Sequence, residues 1–144
     1  MTVFRTIVVG DDASETAERA VELAAEIARD QKAVLHVVTA AREAGAIAVA
    51  GGGLLAGSDL AGRIVAQEEM AKVVAALAAA GTDVRSHVAV GDPAEVILDV
   101  AREVEADLIV VGSKGMHGAR RVLGSVPNTV AHSAPCAVLI AKTD

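Results

Sequence analysis

The stretch DVRSHVAVGDPAEVILDVAREVEADLIVVG, residues 83–112, decides the fold. It opens on a run that reads as a strand (83–90) and breaks at Gly91-Asp92-Pro93. Asp92 as cap, Pro93 in the first helical position and Glu95 two residues later make a strong helix start over 92–106. Val96, Ile97, Val100 and Val104 then recur on one helical face. The closing run, 107–112, is nearly all apolar, as befits a strand with helices on both sides. Strand, helix and strand in this order predict a parallel pair joined by a crossover.

The same alternation extends in both directions. Residues 3–9, VFRTIVV, read as a buried strand. Residues 14–30 place Ala17, Ala20, Val21, Ala24 and Ala28 on one helical face, with Ser14 as cap and Glu15 and Glu18 in the first turn. Residues 33–39 predict a second strand. Residues 59–81 predict a helix whose face carries Ala66, Met70, Val73, Val74 and Leu77, with Gly81 just past its end. A short helix follows at about 126–133, capped by Ser125, and the last strand spans 136–142. The result is an α/β chain: one domain with an open, five-stranded, doubly wound parallel sheet. The exception is 40–58, long and rich in Ala and Gly, with Gly51–Gly53 following no strand; it reads as a mobile connection.

Bulk composition narrows the function. The chain has 144 residues, 53% of them apolar, enough for one sizeable core and too many for disorder. One Phe and no Tyr or Trp leave almost no aromatic rings on which to stack single-stranded bases. A net charge of −6 makes nucleic acid and anionic lipid poor partners. The single cysteine, Cys136, excludes an intramolecular disulfide and suits a reducing, cytoplasmic setting. The N-terminus lacks an apolar leader, and the longest uncharged run, 44–58, is too short and glycine-rich to span a membrane.

In open parallel sheets, ligands sit beyond the carboxyl ends of the strands. Three loops meet there: Gly10–Asp12, Gly91, and the stretch from Gly112 onward. Gly112 and Gly115 allow a sharp turn with bare amides, and Gly124-Ser125 stands at the entry to the last helix. Both features suit an anion. A plain turn between strand and helix satisfies the same spacing, so composition alone leaves both readings open. Lys114, Arg120 and Arg121 either offset phosphate charge or form a solvated edge. Lys114 is not a phosphate-loop lysine, because the full Gly-x-x-x-x-Gly-Lys-[Ser/Thr] pattern is missing. The four histidines are scattered, and neither a zinc site nor a Cys or Ser nucleophile can be assembled from spacing.

The segment VVGSKGMHGARRVLGSVPNTVAHSAPCAVLI resembles the carboxyl-terminal signature of the universal stress protein family. TIVVGDDASETAERA resembles that family's opening, and LHVV and VGDPAEVILDVAREVEADLIVVGS its inner units. The resemblance covers all but about 40–60. It implies strand order 3-2-1-4-5, ATP as ligand (with Mg²⁺ as a companion), and a homodimer through Cys136–Lys142. It also implies regulation in a stress response, with at most slow hydrolysis. Asp12 falls where the family's loop acid meets the ribose hydroxyls, and Val37 where main-chain groups meet adenine. Gly112, Gly115, Gly124, Ser125 and Val126 fall on phosphate-contacting positions, with Gly10 and Val111 beside them. The family's ATP-binding members place nine residues between the second glycine and the Gly-Ser pair; here there are eight, Met116–Leu123. Asp11 adds a second carboxylate beside Asp12. AMP or cyclic AMP in the same pocket, or a member that binds partner proteins and no nucleotide, are the alternatives.

Overall fold

The computed structural model describes residues 3–12, 15–41, 55–113 and 124–142. Among the described residues, five strands alternate with four helices: β1 (Thr6–Gly10), α1 (Glu15–Gln31), β2 (Val34–Ala41), α2 (Leu55–Ala79), β3 (Asp83–Val90), α3 (Pro93–Glu103), β4 (Leu108–Gly112), α4 (Ser125–Ser133) and β5 (Ala137–Ala141). All ladders are parallel, and the order across the sheet is β3-β2-β1-β4-β5.

Alternation along the strands divides the core in two. Ile7, Val9, Leu35, Val37, Leu108 and Val110 face α1 and α2, and join Ala20, Val21, Ala24, Ala28 and Met70. Val8, Val38, Ile109 and Val111 face α3 and α4, and join Val96, Ile97, Val100, Ala101 and Val130. The expected stripes of α1 and α3 are therefore the buried ones. The core is built of small aliphatic side chains, so alanines bring α1 close to the sheet.

Chain ends depart from the sequence expectation in instructive ways. β1 starts at Thr6 rather than at Val3, because the Val3 and Phe4 amides are taken by the Gln31 side chain at the end of α1, at 2.7 and 3.3 Å. The start of β1 is then clasped by Asp107, whose carboxylate accepts the Arg5 amide at 2.9 Å and the Thr6 amide at 3.2 Å. α2 begins at Leu55, four residues ahead of the expected start at 59, although the added turn contains Gly57, a weak helix former.

Three helices end in the same way. Beyond α2, Gly81 takes φ +91°, its amide bonds Ala78, and the Thr82 amide reaches back to Leu77. That is the paired 5→2 and 6→1 closure of a Schellman motif. Lys32 after α1 (φ 55°) and Glu105 after α3 (φ 53°) repeat it, with Ala33 bonding Ala28 and Ala106 bonding Ala101. Glu105 is why α3 stops at Glu103 instead of 106. The Asp92 cap forms as expected, its carboxylate accepting the Glu95 amide at 3.1 Å. Among the described residues, no helix is long and apolar enough to cross a membrane.

Candidate functional site

The chain leaves β1 for β2 and β3 on one side and returns through β4 and β5 on the other, so β1 and β4 flank the point where strand order switches. There the sheet divides. The β1–β4 ladder stops at Val9↔Val110. The β1–β2 ladder continues to Gly10↔Val38, and the Asp11 amide extends it onto the Val38 carbonyl at 2.8 Å. The β4–β5 ladder continues to Gly112↔Ala141, and the Ser113 amide bonds the Ala141 carbonyl at 2.9 Å. Each exit thus leans away from the other. Gly10 and Asp11 on one lip, and Val111 and Gly112 on the other, border a crevice at the carboxyl edge of the sheet.

Gly10 has a packing reason to be glycine. A Cβ there would lie 2.6 Å from Ile97 Cδ1 of α3. α3 therefore seats directly on the end of β1. Asp11 is half-buried and Asp12 exposed. The Thr39 hydroxyl donates to the Asp11 carbonyl at 2.9 Å. Gly91 joins this edge through its amide, 3.3 Å from the Ala41 carbonyl.

α4 runs on the face that α3 shares, with Val126 and Val130 packed in the same cluster. Its cap is Gly124, with φ −62° and ψ 165°, and Ser125 is its first helical residue; the expectation of Ser125 as cap is off by one. A glycine cap offers no side-chain acceptor. Pro127 brings no N–H, and the Asn128 amide bonds the Gly124 carbonyl at 3.1 Å. The first-turn amides without a partner inside the helix are therefore those of Ser125 and Val126. Ser125 is exposed and Val126 half-buried.

Of the expected site residues, Gly10, Asp12, Val111 and Gly112 stand at the two lips, and Gly124, Ser125 and Val126 at the start of α4. Val37 lies one register position inside the mouth, fully buried, with Val9 on one side and Ser86 on the other. Gly115, with Lys114, Gly118, Arg120 and Arg121, lies outside the described residues, as does Ser14. Thr39 carries no signature in the sequence, and Ile97, expected on the buried stripe of α3, gives no sign there of its contact with Gly10; strand alternation and helical periodicity do not report contacts between elements.

A second polar cluster sits deeper in the sheet. His36 Nδ1 and His87 Nε2 are 2.8 Å apart on β2 and β3. Burial, then His87 and Arg85, lower the His36 pKa from 6.5, with Asp83 opposing. Cys136 is half-buried, and burial, with Asp107, pushes its thiol pKa up, so it is a poor nucleophile at neutral pH. Among the described residues, no three His, Cys, Asp or Glu side chains cluster to hold a metal. An open groove of about 360 Å³ between α2 and β3, lined by Met70, Val74, Ser86 and Val88, contains none of the candidate residues.

The comparisons agree with this architecture. The family model described as "Universal stress protein family" matches residues 4–142. Universal stress protein Rv1636 of Mycobacterium tuberculosis is 31% identical, with 99% of each chain covered. A universal stress protein solved in complex with cAMP is 33% identical, with 98% of each chain covered and a TM-score of 0.68. The universal stress protein of Archaeoglobus fulgidus, solved in complex with dAMP, is 28% identical over 99% of this chain and 100% of that one, also with a TM-score of 0.68. With its sheet order, its divided carboxyl edge and these likenesses taken together, the chain belongs to the universal stress protein family.

Proposed function

We propose that this chain binds an adenine nucleotide in the crevice between β1 and β4 and acts by ligand-dependent regulation rather than by turnover. The observation that carries the reading is the divided sheet: two lips at Gly10–Asp12 and Val111–Gly112, with the first-turn amides of α4 on the same sheet edge. Main-chain amides and a helix N-terminus hold phosphate without requiring a positive protein, which resolves the conflict between a −6 chain and an anionic ligand. Asp12 is suited to the ribose hydroxyls. Adenine would lie against β2 at Val37, whose main-chain groups also belong to a strand paired on both sides. Val111, Gly112, Gly124, Ser125 and Val126, with Gly115, are the phosphate positions. The sequence carries no motif for fast phosphoryl transfer, and hydrolysis is expected to be at most slow.

ATP, with Mg²⁺ as companion, is the first ligand to test. A single-phosphate ligand is the second reading, favoured by the eight-residue spacing Met116–Leu123 and by relatives solved with cAMP and dAMP. Calorimetric titration with ATP, ADP, AMP and cyclic AMP, with and without Mg²⁺, separates them. Affinity rising with phosphate number supports ATP. Tightest binding of cyclic AMP or AMP supports the second reading, and silence toward all four removes nucleotide binding.

A homodimer through β5 belongs to the same proposal. β5 pairs with β4 at the end of the strand order, and Val138, Leu139 and Ile140 are half-exposed. An apolar edge strand of this kind gains from a partner strand. Sedimentation of the wild type and of Leu139→Lys tests it: a dimer that becomes a monomer is expected, and a monomeric wild type removes the dimer.

A further inference from the structure

Thr39 stands on β2, one residue beyond the last β1–β2 register pair, Gly10↔Val38. Its hydroxyl donates to the Asp11 carbonyl at 2.9 Å, while the Asp11 amide donates to the Val38 carbonyl at 2.8 Å. Asp11 is thereby held on both sides of its Cα, by main chain on the amide side and by a side chain on the carbonyl side. That carbonyl belongs to the peptide plane whose other end is the Asp12 nitrogen. Fixing the plane fixes where the chain places the Asp12 nitrogen and Cα, and so narrows the directions in which its side chain can leave.

We infer that Thr39 is a positioning residue that makes the site selective for ribose over 2′-deoxyribose, by holding the peptide that aims the Asp12 carboxylate. The inference rests on the proposed reading of Asp12 as the ribose contact. A carboxylate accepts two hydroxyls of a cis-diol at once only if its plane is aimed at both. A deoxynucleotide offers one hydroxyl and tolerates a looser carboxylate. Loosening the Asp11 carbonyl therefore costs the second contact and leaves the first. Valine at 39 keeps the shape and removes the donor; serine keeps the donor and removes the methyl group.

The test compares the wild type with Thr39→Val, Thr39→Ser and Asp12→Ala. Affinities are measured for ATP against 2′-deoxy-ATP and for AMP against 2′-deoxy-AMP. The wild type is expected to prefer the ribonucleotide by about tenfold, the worth of one charge-assisted hydrogen bond. Thr39→Val should bring the ratio near one while leaving deoxynucleotide affinity within about twofold, and Thr39→Ser should keep the wild-type ratio. A structural role alone lowers both affinities together, and that outcome overturns the inference. So does a Thr39→Val protein that discriminates as the wild type does.

Nucleotide-free protein supplies an independent readout. The Asp12 amide order parameter from NMR relaxation should fall in Thr39→Val and stay in Thr39→Ser; no change in the valine variant overturns the loop-fixing role. If Asp12→Ala keeps the ribose preference, Asp12 is not the ribose contact and the selectivity falls. If the wild type binds none of these four nucleotides, the selectivity falls, and if it is silent toward ADP and cyclic AMP as well, the proposed function falls with it, whereas the NMR comparison still reports on the loop.

Discussion

His36 Nδ1 meets His87 Nε2 head-on across β2 and β3. The nitrogens are 2.8 Å apart and the ring centres 5.1 Å, a difference that the two ring radii account for when both nitrogens lie on the line between centres. One N–H thus points straight at one lone pair. Such a bond needs one donor and one acceptor, so the pair accommodates neutral rings or a single added proton. A second proton removes the acceptor and sets two cations together, with Arg85 beside them and Asp83 the opposing charge. No room is left between the nitrogens for a metal.

The pair gives stability a pH dependence whose sign follows from His36. Its pKa in the folded chain lies below 6.5, first because of burial and then because of His87 and Arg85. As pH falls, the unfolded chain takes up this proton before the folded one does. The contribution is therefore fully present above about pH 6.5 and is lost as pH drops toward the lowered folded value. Urea unfolding from about pH 7 to pH 5 should show stability falling, and His36→Gln should flatten that slope. Parallel slopes in the two proteins would show that His36 does not titrate in this window.

Asp107 joins the first strand to the fourth without belonging to either. Its carboxylate accepts two main-chain amides, and its own amide bonds the Thr6 carbonyl at 2.9 Å. Asp107→Ala leaves those amides to solvent at the mouth of a ladder and should cost roughly 1–3 kcal/mol in urea unfolding. Asp107→Asn, which keeps an acceptor without the charge, should recover part of that loss. An alanine variant as stable as the wild type would mean that water replaces the carboxylate at no cost.

Most of the fold was legible because the pattern is redundant. β1, β4 and β5 are apolar runs and β2 is nearly one, β3 mixes polar and apolar residues before the Gly91-Asp92 break, and each of α1 and α3 shows a clear buried stripe and, for α3, the Asp92-Pro93-Glu95 start. The order of strands was not legible in periodicity, since pairing partners leave no local trace; it came from the family resemblance and holds in the structure. Gly81 announced the end of α2, but Lys32 and Glu105 adopt the same left-handed conformation with residues that carry no such signal. At the site, the strand ends were readable, and Ser125 was misread as a cap because serine is the commoner one, while the chain uses Gly124. Ile97 was readable as a core residue of α3, but its contact with Gly10 and the Thr39 bond to Asp11 were not, because each matters through a partner on another element.

Those two left-handed positions make a prediction of their own. A Cβ in this conformation costs about 1–2 kcal/mol, and glycine's extra freedom in the unfolded chain returns roughly half of the gain. Lys32→Gly and Glu105→Gly should each stabilise the protein by roughly 0.5–1 kcal/mol. Glu22→Gly, on the exposed face of α1, should instead cost about the same amount. Melting curves of the three variants give the comparison. Destabilisation by Lys32→Gly would mean that its side chain contributes more than the strain it imposes.

Gly10 and Ile97 test how α3 seats on the crevice. An added Cβ at Gly10 would stand 2.6 Å from Ile97 Cδ1 and 3.4 Å from Cγ1. The nearer atom is the tip of a flexible side chain, so Gly10→Ala should be tolerated at a cost of about 1–2 kcal/mol as Ile97 leaves its rotamer. Ile97→Val removes that Cδ1 methyl and by itself should cost about 0.5–1.5 kcal/mol. In the double variant the new Cβ occupies the vacated space. The two costs should therefore fail to add, with a coupling of about 1 kcal/mol or more in the stabilising direction. Additive losses would show that Gly10 is required for its backbone at the lip of the crevice, and not for the helix that packs on it.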